Sequence, residues 1–519
     1  MNEPEFVSIL NDVLGPVMRG PSSSHTAGSY HIARAARSLL GEEPARATLT
    51  FDPDGSYAAT YVPQSADKAF AAGLMGWDLT DGRFGGSLES ASAHGLVLKF
   101  RVASLDGADH PNSVRIDLGG RGAEELRLLA KSTGGGGFLV QQIGDWPVAV
   151  DGKSHETFIL MDRSRTDGIE RILDAFRGSA SLSEGLRQDA VLVCLRGSEP
   201  MTEADRLDLL REAGAKKIWS APPVFFPRKG TPLFDSAESM VRFAEDARLS
   251  LGRAALEYEA RLLGLEPAAA EAEMSRRFKI MAAAADAGLR QENVRLRLLK
   301  PSAGRIADAE KGGRLAVGGL HTRAAARALA VLHISNSGGV VCAAPTGGSC
   351  GVIPGTLGAL AEERSLPEEK VIAALFAAGA VGLIIARRAT FAAETAGCQV
   401  EIGAAGAMAA AAVVEAAGGT AIQAVNAAAI SLQNSMGSVC DLVQGMCEIP
   451  CHTRNAVAAS SAFVCADLVL GGYLNPIPLD DTIDAVFASG RMLPPELLCT
   501  SQGGLAVVPS ALAIKPRKW

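Results

Sequence analysis

The sequence predicts three successive parts: an α+β N-terminal domain, a small ferredoxin-like α/β middle domain, and an all-α C-terminal domain with buried Ala/Gly-rich helices. Alternating apolar patterns dominate the first part, short strand and helix patterns alternate in the second, and alanine at helical spacing dominates the third. The chain has 519 residues, of which 48% are apolar and 21% charged. This length suits about two to four domains, and the composition lets each bury a core.

Residues 1–140 are the predicted α+β domain. Strand patterns occur at three places: 46–55, 96–105 and 113–120. The segment 67–77 is typical of a helix packed by small residues. We expect the domain to close at the glycine run 134–137.

Residues 141–228 are the predicted middle domain. Strand and helix candidates alternate through five short segments: ETFILMDRS, TDGIERILDAF, DAVLVCLRG, TEADRLDLLREAG and KKIWSAPPV. Ferredoxin-like sensors of small molecules have this alternation, although a structural spacer domain would have it too. A Pro/Gly-rich linker is predicted at 221–232.

Residues 236–519 are the predicted helical domain. Helical spacing of apolar residues runs through 238–264, and three later segments are apolar on nearly every side: 371–386, 404–417 and 421–432. Helices of that kind must be interior. The uncharged run 371–386 has 16 residues. A bilayer span needs about 20, so we expect a buried helix there and no membrane partner.

Charge and cysteine placement exclude several classes of protein. The formal net charge of −7 argues against a general nucleic-acid binder. The acidic N-terminus lacks the basic start and apolar run of a signal peptide. Eight of the nine cysteines fall between Cys342 and Cys499, which is not the pattern of a secreted disulfide framework. We therefore expect a cytoplasmic protein with reduced thiols.

Four of these cysteines lie in polar or turn-rich contexts with the spacing C-x41-C-x6-C-x3-C: Cys398, Cys440, Cys447 and Cys451. No zinc-finger pairing fits this spacing. Thiolates converging from separate helix ends would suit an iron–sulfur cluster, which prefers soft ligands. Free cysteines in a buried core are the alternative interpretation.

A run of hydroxyl residues at 20–28, GPSSSHTAG, precedes a helical pattern. Hydroxyls and backbone N–H groups at a helix N-terminus can bind a carboxylate or another small anion, whereas a simple N-cap needs only one of them. Two other glycine-rich turns, 134–137 and 344–351, match neither a P-loop nor a dinucleotide fingerprint. The tetraglycine leaves a phosphate cup for pyridoxal phosphate as a rival, but no lysine before it has a convincing setting for a Schiff base.

The motifs together resemble the bacterial iron–sulfur-dependent L-serine dehydratases (L-serine ammonia-lyases). The resemblance covers about 1–140 and 270–510 and rests on seven segments in one order: GPSSSHTAG, HPNSVRIDL, STGGGGF, APTGGSCG, AGCQVEIG, VCDLVQGMCEIPCHTRNA and TSQGGLA. The chain looks like a fusion of the beta and alpha parts, which are separate chains in some members. The middle domain then occupies the place of an ACT regulatory domain, so we interpret it as ACT-like.

The resemblance implies a [4Fe-4S] cluster held by Cys398, Cys440 and Cys451. Cys447 falls where the family has an aliphatic residue and Cys350 where it has Cys or Ala, so both are interpreted as structural. Four other cysteines receive the same interpretation: Cys194, Cys342, Cys465 and Cys499. Some single-chain members end in a cysteine that caps the fourth iron, and this sequence ends in KPRKW. The fourth iron is therefore expected to be open.

An open iron would act as a Lewis acid on the β-hydroxyl and carboxylate of serine, while a base removes the α-proton. The expected products are pyruvate and ammonia, which implies a role in amino-acid degradation and gluconeogenesis. Substrate contacts are expected from motif positions: Ser22, Ser23, Ser24, Thr26, Asn112, Ser132, Thr133, Thr346, Arg454 and Asn455. Arg454 has a structural ion pair as its alternative role. We also expect a homodimer.

One segment departs from the family. Many members carry Gly-His-x-Thr-Asp early in the beta part, and that His is a candidate acid/base. This chain has Pro63-Gln64-Ser65-Ala66-Asp67, so His25 becomes the predicted base. The departure leaves open the same chemistry on another β-substituted amino acid, such as cysteine desulfidation or threonine dehydration. A non-catalytic amino-acid-binding regulator is the alternative from a different class.

Overall fold

Residues 6–122, 124–176, 180–183, 189–211 and 214–517 are described by a computed structural model of the chain. Strands are concentrated in the N-terminal half, and the C-terminal region is helical. The chain divides into two units: one is His25–Lys229, and the other joins Met1–Ser24 to Gly230–Trp519. We call them the sheet unit and the helical unit.

The strands follow one another as β1 (Val17–Arg19), β2 (Pro44–Phe51), β3 (Val97–Val102), β4 (Ser113–Gly120), β5 (Glu125–Gly134), β6 (Gly137–Ile143), β7 (Trp146–Val150), β8 (His155–Asp162), β9 (Ala180–Ser183), β10 (Ala190–Gly197), β11 (Lys217–Ala221) and β12 (Val340–Cys342).

The helices of the sheet unit are α1 (Gly28–Leu40), α2 (Ser56–Thr60), α3 (Ala66–Met75), α4 (Ser87–Ala93), α5 (Thr166–Ala175) and α6 (Glu203–Arg211). Those of the helical unit are α7 (Ala237–Ala247), α8 (Leu251–Leu263), α9 (Pro267–Leu289), α10 (Ala303–Lys311), α11 (Gly319–Asn336), α12 (Val352–Arg364), α13 (Glu368–Arg388), α14 (Ala393–Ala396), α15 (Ile402–Ala416), α16 (Ala421–Ser435), α17 (Cys451–Leu470), α18 (Leu479–Gly490) and α19 (Pro509–Leu512).

A six-stranded sheet with the order β3-β2-β4-β5-β6-β7 forms the larger part of the sheet unit. Only the β2–β3 pair among these neighbours is parallel. Leu49 and Phe51 of β2 and Ile116 of β4 are fully buried in the core that also receives α1. The predicted strands at 46–55, 96–105 and 113–120 and the predicted helix at 67–77 are confirmed as β2, β3, β4 and α3.

The glycine run 134–137 is a hairpin turn rather than the end of this sheet. Gly134, Gly135 and Gly136 have φ of 94°, 60° and 93°, a region that side chains disfavour, and they connect β5 to β6. The β6–β7 hairpin then extends the sheet to Val150. The predicted boundary near residue 140 therefore falls inside β6.

A second, four-stranded antiparallel sheet has the order β11-β8-β10-β9. Helix α5 connects β8 to β9, and α6 connects β10 to β11. One face of the sheet packs on α5 through Ile159 and Val193, while Phe158 and Leu192 of the other face join the core of the larger sheet. Strand β9 was absent from the sequence prediction, because its four residues, ASLS, are too few to distinguish a strand from a loop. They pair with β10 at the edge of the sheet.

The helical unit is built around α13 and α15, whose side chains are buried along nearly their whole length. Two apolar stretches, Glu368–Arg388 and Cys398–Ala416, are long enough to cross a bilayer, but 78% and 89% of their apolar windows are buried inside the protein. The predicted interior helix at 371–386 is confirmed as α13. Gly379 and Gly382 let Ile9 and Val13 reach its backbone, since a Cβ there would lie 2.3 Å and 2.2 Å from their side chains.

Two expectations for the helical region differ from the structure. The pattern at 238–264 is two helices, because Arg248 adopts a left-handed φ of 55° that ends α7, and Ser250 caps α8. The region is also not wholly α-helical. Strand β12 pairs antiparallel with β1, with Val17 opposite Cys342.

The first residues of the chain belong to the helical unit, not to the predicted 1–140 domain. The carboxylate of Glu259, fully buried on α8, accepts hydrogen bonds from Ser8 Oγ (2.5 Å), Ile9 N (2.8 Å) and Leu10 N (2.9 Å). Ile9 and Leu10 open the turn Ile9–Val13, and Ser8 caps it by accepting a hydrogen bond from Asn11 N on its Oγ. One distant carboxylate therefore anchors the N-terminal segment.

Glu259→Gln is expected to loosen this segment, because the amide NH₂ would face N–H donors. Loss of hydrogen bonds to a buried charge costs about 2–3 kcal/mol. Hydrogen–deuterium exchange should show amides of residues 8–14 exchanging at least about 30-fold faster. Glu257→Gln, on the exposed side of the same helix, is the control and should leave exchange unchanged. Equal protection in the two variants would contradict the anchoring role.

Candidate active site

The helical unit brings two of the predicted ligand cysteines together. Cys398 follows Gly397 and opens a short turn before α15, and Cys440 lies in the loop after α16. Both thiols are buried. Their Sγ atoms and one carboxylate oxygen of Glu401 all lie within 4.8 Å of one another. Two soft donors and one hard donor thus converge in a space from which water is largely excluded.

Cys451, the third predicted ligand, is the first residue of α17 and is also buried. Its thiol is hydrogen-bonded to that of Cys447, and it interacts electrostatically with Cys398 and Cys440. A helix N-terminus favours the thiolate form of a cysteine. Cys451 therefore lies near enough to Cys398 and Cys440 to interact with them electrostatically, although the donors within 4.8 Å of one another are Cys398, Cys440 and Glu401.

Crowding and burial raise the pKa of the Cys398, Cys440 and Cys451 thiols. For Cys398 the hydrogen bond with Cys440 is the largest cause and burial the next. For Cys440 the hydrogen bond with Cys398 lowers the pKa, but contact with Cys499 and burial outweigh it. Metal ions displace such protons, because thiolates are the ligands that they bind.

Glu401 is a site residue that the sequence analysis did not single out. Thr346 Oγ1 donates a 2.6 Å hydrogen bond to its Oε1, and Gly348 leaves room for the carboxylate, since a Cβ there would lie 2.6 Å from that oxygen. Burial raises the pKa of Glu401 to about 7, while the Thr346 hydrogen bond opposes the shift. Its position in AGCQVEIG, three residues after Cys398, is the signal that could have identified it, because that spacing is about one helical turn.

Arg454 lies against Cys398, one of the predicted ligands. Its Nη1 donates to Cys398 Sγ at 3.4 Å and to the carbonyl of Val439 at 2.8 Å, and its Nη2 is 3.0 Å from Asp441. The side chain of Asp441 is almost fully buried. The structure thus gives Arg454 an ion pair and a contact with Cys398, and its positive charge favours the thiolate there.

Asn455 connects the glycine-rich loop 344–351 to the start of α17. Its Nδ2 donates to the carbonyls of Gly348 (2.8 Å) and Cys451 (2.9 Å), and its Oδ1 accepts from Gly351 N (3.2 Å). Both amide hydrogens are therefore used within the protein. Asn455 holds the Thr346 loop in place beside the thiols.

The serines of the GPSSSHTAG run that lie in the helical unit face the same loop. Ser23 Oγ accepts a hydrogen bond from Gly347 N at 3.1 Å. Ser22 Oγ and Ser24 Oγ are 3.3 Å apart, and Ser24 donates to Glu394 at 3.0 Å. Ser22, Ser23 and Ser24 therefore adjoin the loop that carries Thr346, so hydroxyls and two carboxyls, Glu394 and Glu401, belong to this region.

The remaining predicted site residues lie in the sheet unit. His25 Nε2 is 3.1 Å from Ser56 Oγ, and Thr26 donates to the carbonyl of Gln64 at 2.8 Å. Gln64, in the segment that departs from the family, thus contacts Thr26. The other three were predicted from motif positions: Asn112, Ser132 and Thr133. Asn112 and Ser132 are buried, with Ser132 N donating to the Asn112 carbonyl at 3.2 Å, whereas Thr133 is exposed.

Cys499 lies beside Cys440, although it was interpreted from the sequence as a structural cysteine. Its sulfur is 2.6 Å from that of Cys440. It directly precedes the motif TSQGGLA, which is the signal that was overlooked. Cys194 lies on β10 of the sheet unit, Cys342 on β12 and Cys465 on α17, and their structural role stays a prediction.

Comparison with known proteins supports the motif assignment. The profile of the family "Serine dehydratase alpha chain" matches residues 212–506, more than half of the chain. A probable L-serine dehydratase alpha chain of Bacillus subtilis is 40% identical over 245 residues, covering 47% of this chain and 82% of that protein. A probable L-serine dehydratase beta chain of the same organism is 34% identical over 181 residues, covering 34% of this chain and 80% of the relative.

A third relative matches a longer stretch. The L-serine dehydratase of Haemophilus influenzae is 32% identical over 281 residues, which is 53% of this chain and 61% of that protein. Matches to both an alpha chain and a beta chain agree with the motif order read along this sequence. The chain belongs to the bacterial L-serine dehydratase family, with the beta and alpha parts fused in one polypeptide.

Proposed function

We propose that this protein converts L-serine to pyruvate and ammonia by β-elimination. The observation that carries the proposal is the convergence of Cys398, Cys440 and a Glu401 oxygen within 4.8 Å. That group lies inside the family-matched region, and the relatives are named for L-serine dehydration. Donors for a metal centre and a carboxyl with a pKa near 7 suit a reaction that needs both a Lewis acid and a base.

The donor set fits a [4Fe-4S] cluster held by Cys398, Cys440 and Cys451. Three cysteine sulfurs in one buried group are soft ligands, which iron–sulfur clusters prefer. When bound, such a cluster would supply Lewis-acid chemistry to the hydroxyl and carboxylate of the substrate. Arg454 lies close enough to Cys398 to offset negative charge on the sulfur.

We assign proton transfer to Glu401. Its carboxylate form can take the α-proton of serine, and the pKa of about 7 keeps much of it in that form at neutral pH. Thr346 orients the carboxylate through its 2.6 Å hydrogen bond. Ser22, Ser23 and Ser24 offer hydroxyls for the substrate carboxylate or ammonium group. His25 remains the alternative base, and the matched pair His25→Asn and Glu401→Gln separates the two assignments.

Regulation is proposed for the four-stranded part of the sheet unit. Its order β8-α5-β9-β10-α6-β11, with the sheet order β11-β8-β10-β9, supports a ferredoxin-like, ACT-like regulatory domain. This assignment is separate from catalysis. A variant that no longer responds to an effector should still keep its ligand cysteines in place.

The proposed function predicts that protein reconstituted anaerobically with iron and sulfide forms pyruvate and ammonia from L-serine. Products should be identified by mass spectrometry in parallel reactions with serine, threonine and cysteine. Serine should react fastest. Faster formation of 2-oxobutyrate from threonine, or of pyruvate and sulfide from cysteine, would show that the preferred substrate is not serine. Gln64, in the segment that departs from the family, would then be the first residue to substitute. Iron-loaded protein that forms no keto acid from any of the three would contradict catalysis and favour the amino-acid-binding regulator.

A further inference from the structure

We propose that Cys440 and Cys499 form a disulfide when the protein is metal-free, and that this bond blocks iron binding until it is reduced. The site is a thiol modification site within the metal centre, and its co-reactant is a small-molecule disulfide. The blocking of iron binding rests on the proposed role of Cys440 as an iron ligand. Formation of the disulfide itself does not.

Backbone contacts hold the two cysteines side by side. Cys440 N donates to the carbonyl of Leu497, and Cys499 N donates to the carbonyl of Cys440, both at 2.9 Å. These bonds form a parallel bridge between Cys440 and Leu498. The Sγ–Sγ distance is 2.6 Å, against about 2.05 Å in a disulfide, so bonding needs little movement. Cys440 and Cys499 are separated by 59 positions in the sequence, so no local turn brings them together.

The two thiols differ in access, which sets the order of reaction. Cys440 is 1% exposed, whereas Cys499 is half-buried and is the more accessible residue of the two. The Cys499 thiolate attacks a small disulfide RSSR, which forms a Cys499–S–S–R bond and releases RS⁻. The Cys440 thiolate then attacks the Cys499 sulfur, which forms the Cys440–Cys499 bond and releases the second RS⁻. The protein loses two electrons and two protons, and the small disulfide is reduced to two thiols.

Trypsin separates Cys499 from the other cysteines that could form a disulfide with one another. Cys398, Cys447 and Cys451 also have thiol neighbours within the group. Trypsin cuts after Arg388, Arg454 and Arg491, so all four of the other thiols of the group fall in the fragment 389–454. Cys499 alone falls in the fragment 492–517, because Lys515 precedes a proline. A link between these two fragments therefore identifies Cys499 as a partner.

The test treats metal-free, full-length protein with oxidised glutathione and maps tryptic fragments under non-reducing conditions. We expect fragment 389–454 to be linked to 492–517 in the wild type and in the control Cys465→Ser. Cys499→Ser should lack the link. Cys440→Ser should instead retain glutathione on 492–517, because the resolving thiol is missing. Recovery of an unmodified 492–517 with a disulfide inside 389–454 in the wild type would overturn the proposal.

Iron uptake provides the second readout. Oxidised wild type should bind little iron from ferrous iron and sulfide until dithiothreitol is added, whereas Cys499→Ser treated in the same way should bind iron at once. Iron uptake by the linked wild-type protein without a reductant would overturn the block, while the mapped disulfide would stand. Neither readout uses catalysis, so failure of L-serine turnover would be recognised separately.

Discussion

Cys440→Ala is expected to give a full-length protein that binds little iron and forms no measurable pyruvate from L-serine. Cys440 contributes a buried sulfur to the group with Cys398 and Glu401, and alanine offers no ligand in its place. Lewis-acid catalysis supplies several kcal/mol of charge stabilisation, so its loss should lower turnover by about 10³-fold or more. Iron and sulfide content, visible absorbance and pyruvate formation should fall together.

Cys465→Ala is the matched control for this prediction. Cys465 is also buried in the helical unit, on α17, but it lies outside the ligand group. It should keep its iron and its activity. Wild-type iron content and turnover in Cys440→Ala would contradict the ligand assignment, whereas loss of both in Cys465→Ala would show that the assay reports general damage to the fold.

Glu401→Gln is expected to lower kcat by about 10²–10⁴-fold, the usual contribution of a positioned acid/base. The amide preserves the size of the side chain but cannot accept the α-proton. Iron content should stay near that of the wild type, because the three cysteine ligands are unchanged. His25→Asn is the comparison variant. A kcat close to wild type in Glu401→Gln together with a large loss in His25→Asn would assign the base to His25 instead.

The pH dependence of kcat tests the same carboxyl through Thr346. A base must be ionised to act, so turnover should rise with pH through the pKa of Glu401, which is about 7 in the metal-free chain. The hydrogen bond from Thr346 favours the charged form and lowers that pKa. Thr346→Val removes the donor, so the rising limb of kcat should move to higher pH. A limb that stays in place in this variant would contradict the role of Glu401.

The interior of the helical unit could be predicted because its signal is local. A stretch such as 371–386, apolar on every side, has to be buried, and α13 confirms it. Polar, turn-rich contexts made Cys398, Cys440, Cys447 and Cys451 candidate ligands, and the resemblance to the family selected three of them; their role as ligands stays a prediction. The break between α7 and α8 at Arg248 could not be predicted, because a left-handed residue that ends a helix is more often glycine or asparagine.

The residues that the sequence analysis missed depend on contacts between distant segments. Cys499 meets Cys440 through a bridge of backbone hydrogen bonds, and no periodicity in either segment encodes that pairing. Glu401 is oriented by a hydrogen bond from Thr346, which lies 55 residues earlier. Glu259 binds the N-terminal segment from about 250 residues away. Spacing within one segment predicts helices and strands, but it cannot report which segments meet.

The pairing of β1 with β12 sets an order of events during synthesis. Val17–Arg19 leaves the ribosome long before its partner Val340–Cys342 has been made. At about 5–20 residues per second, roughly 15–65 s pass between them. His25–Lys229 and then Glu259 are made during that interval, so the whole sheet unit exists before β12 does. The segment that contains Val17–Arg19 can therefore reach its final pairing only late in synthesis, after the sheet unit has been made.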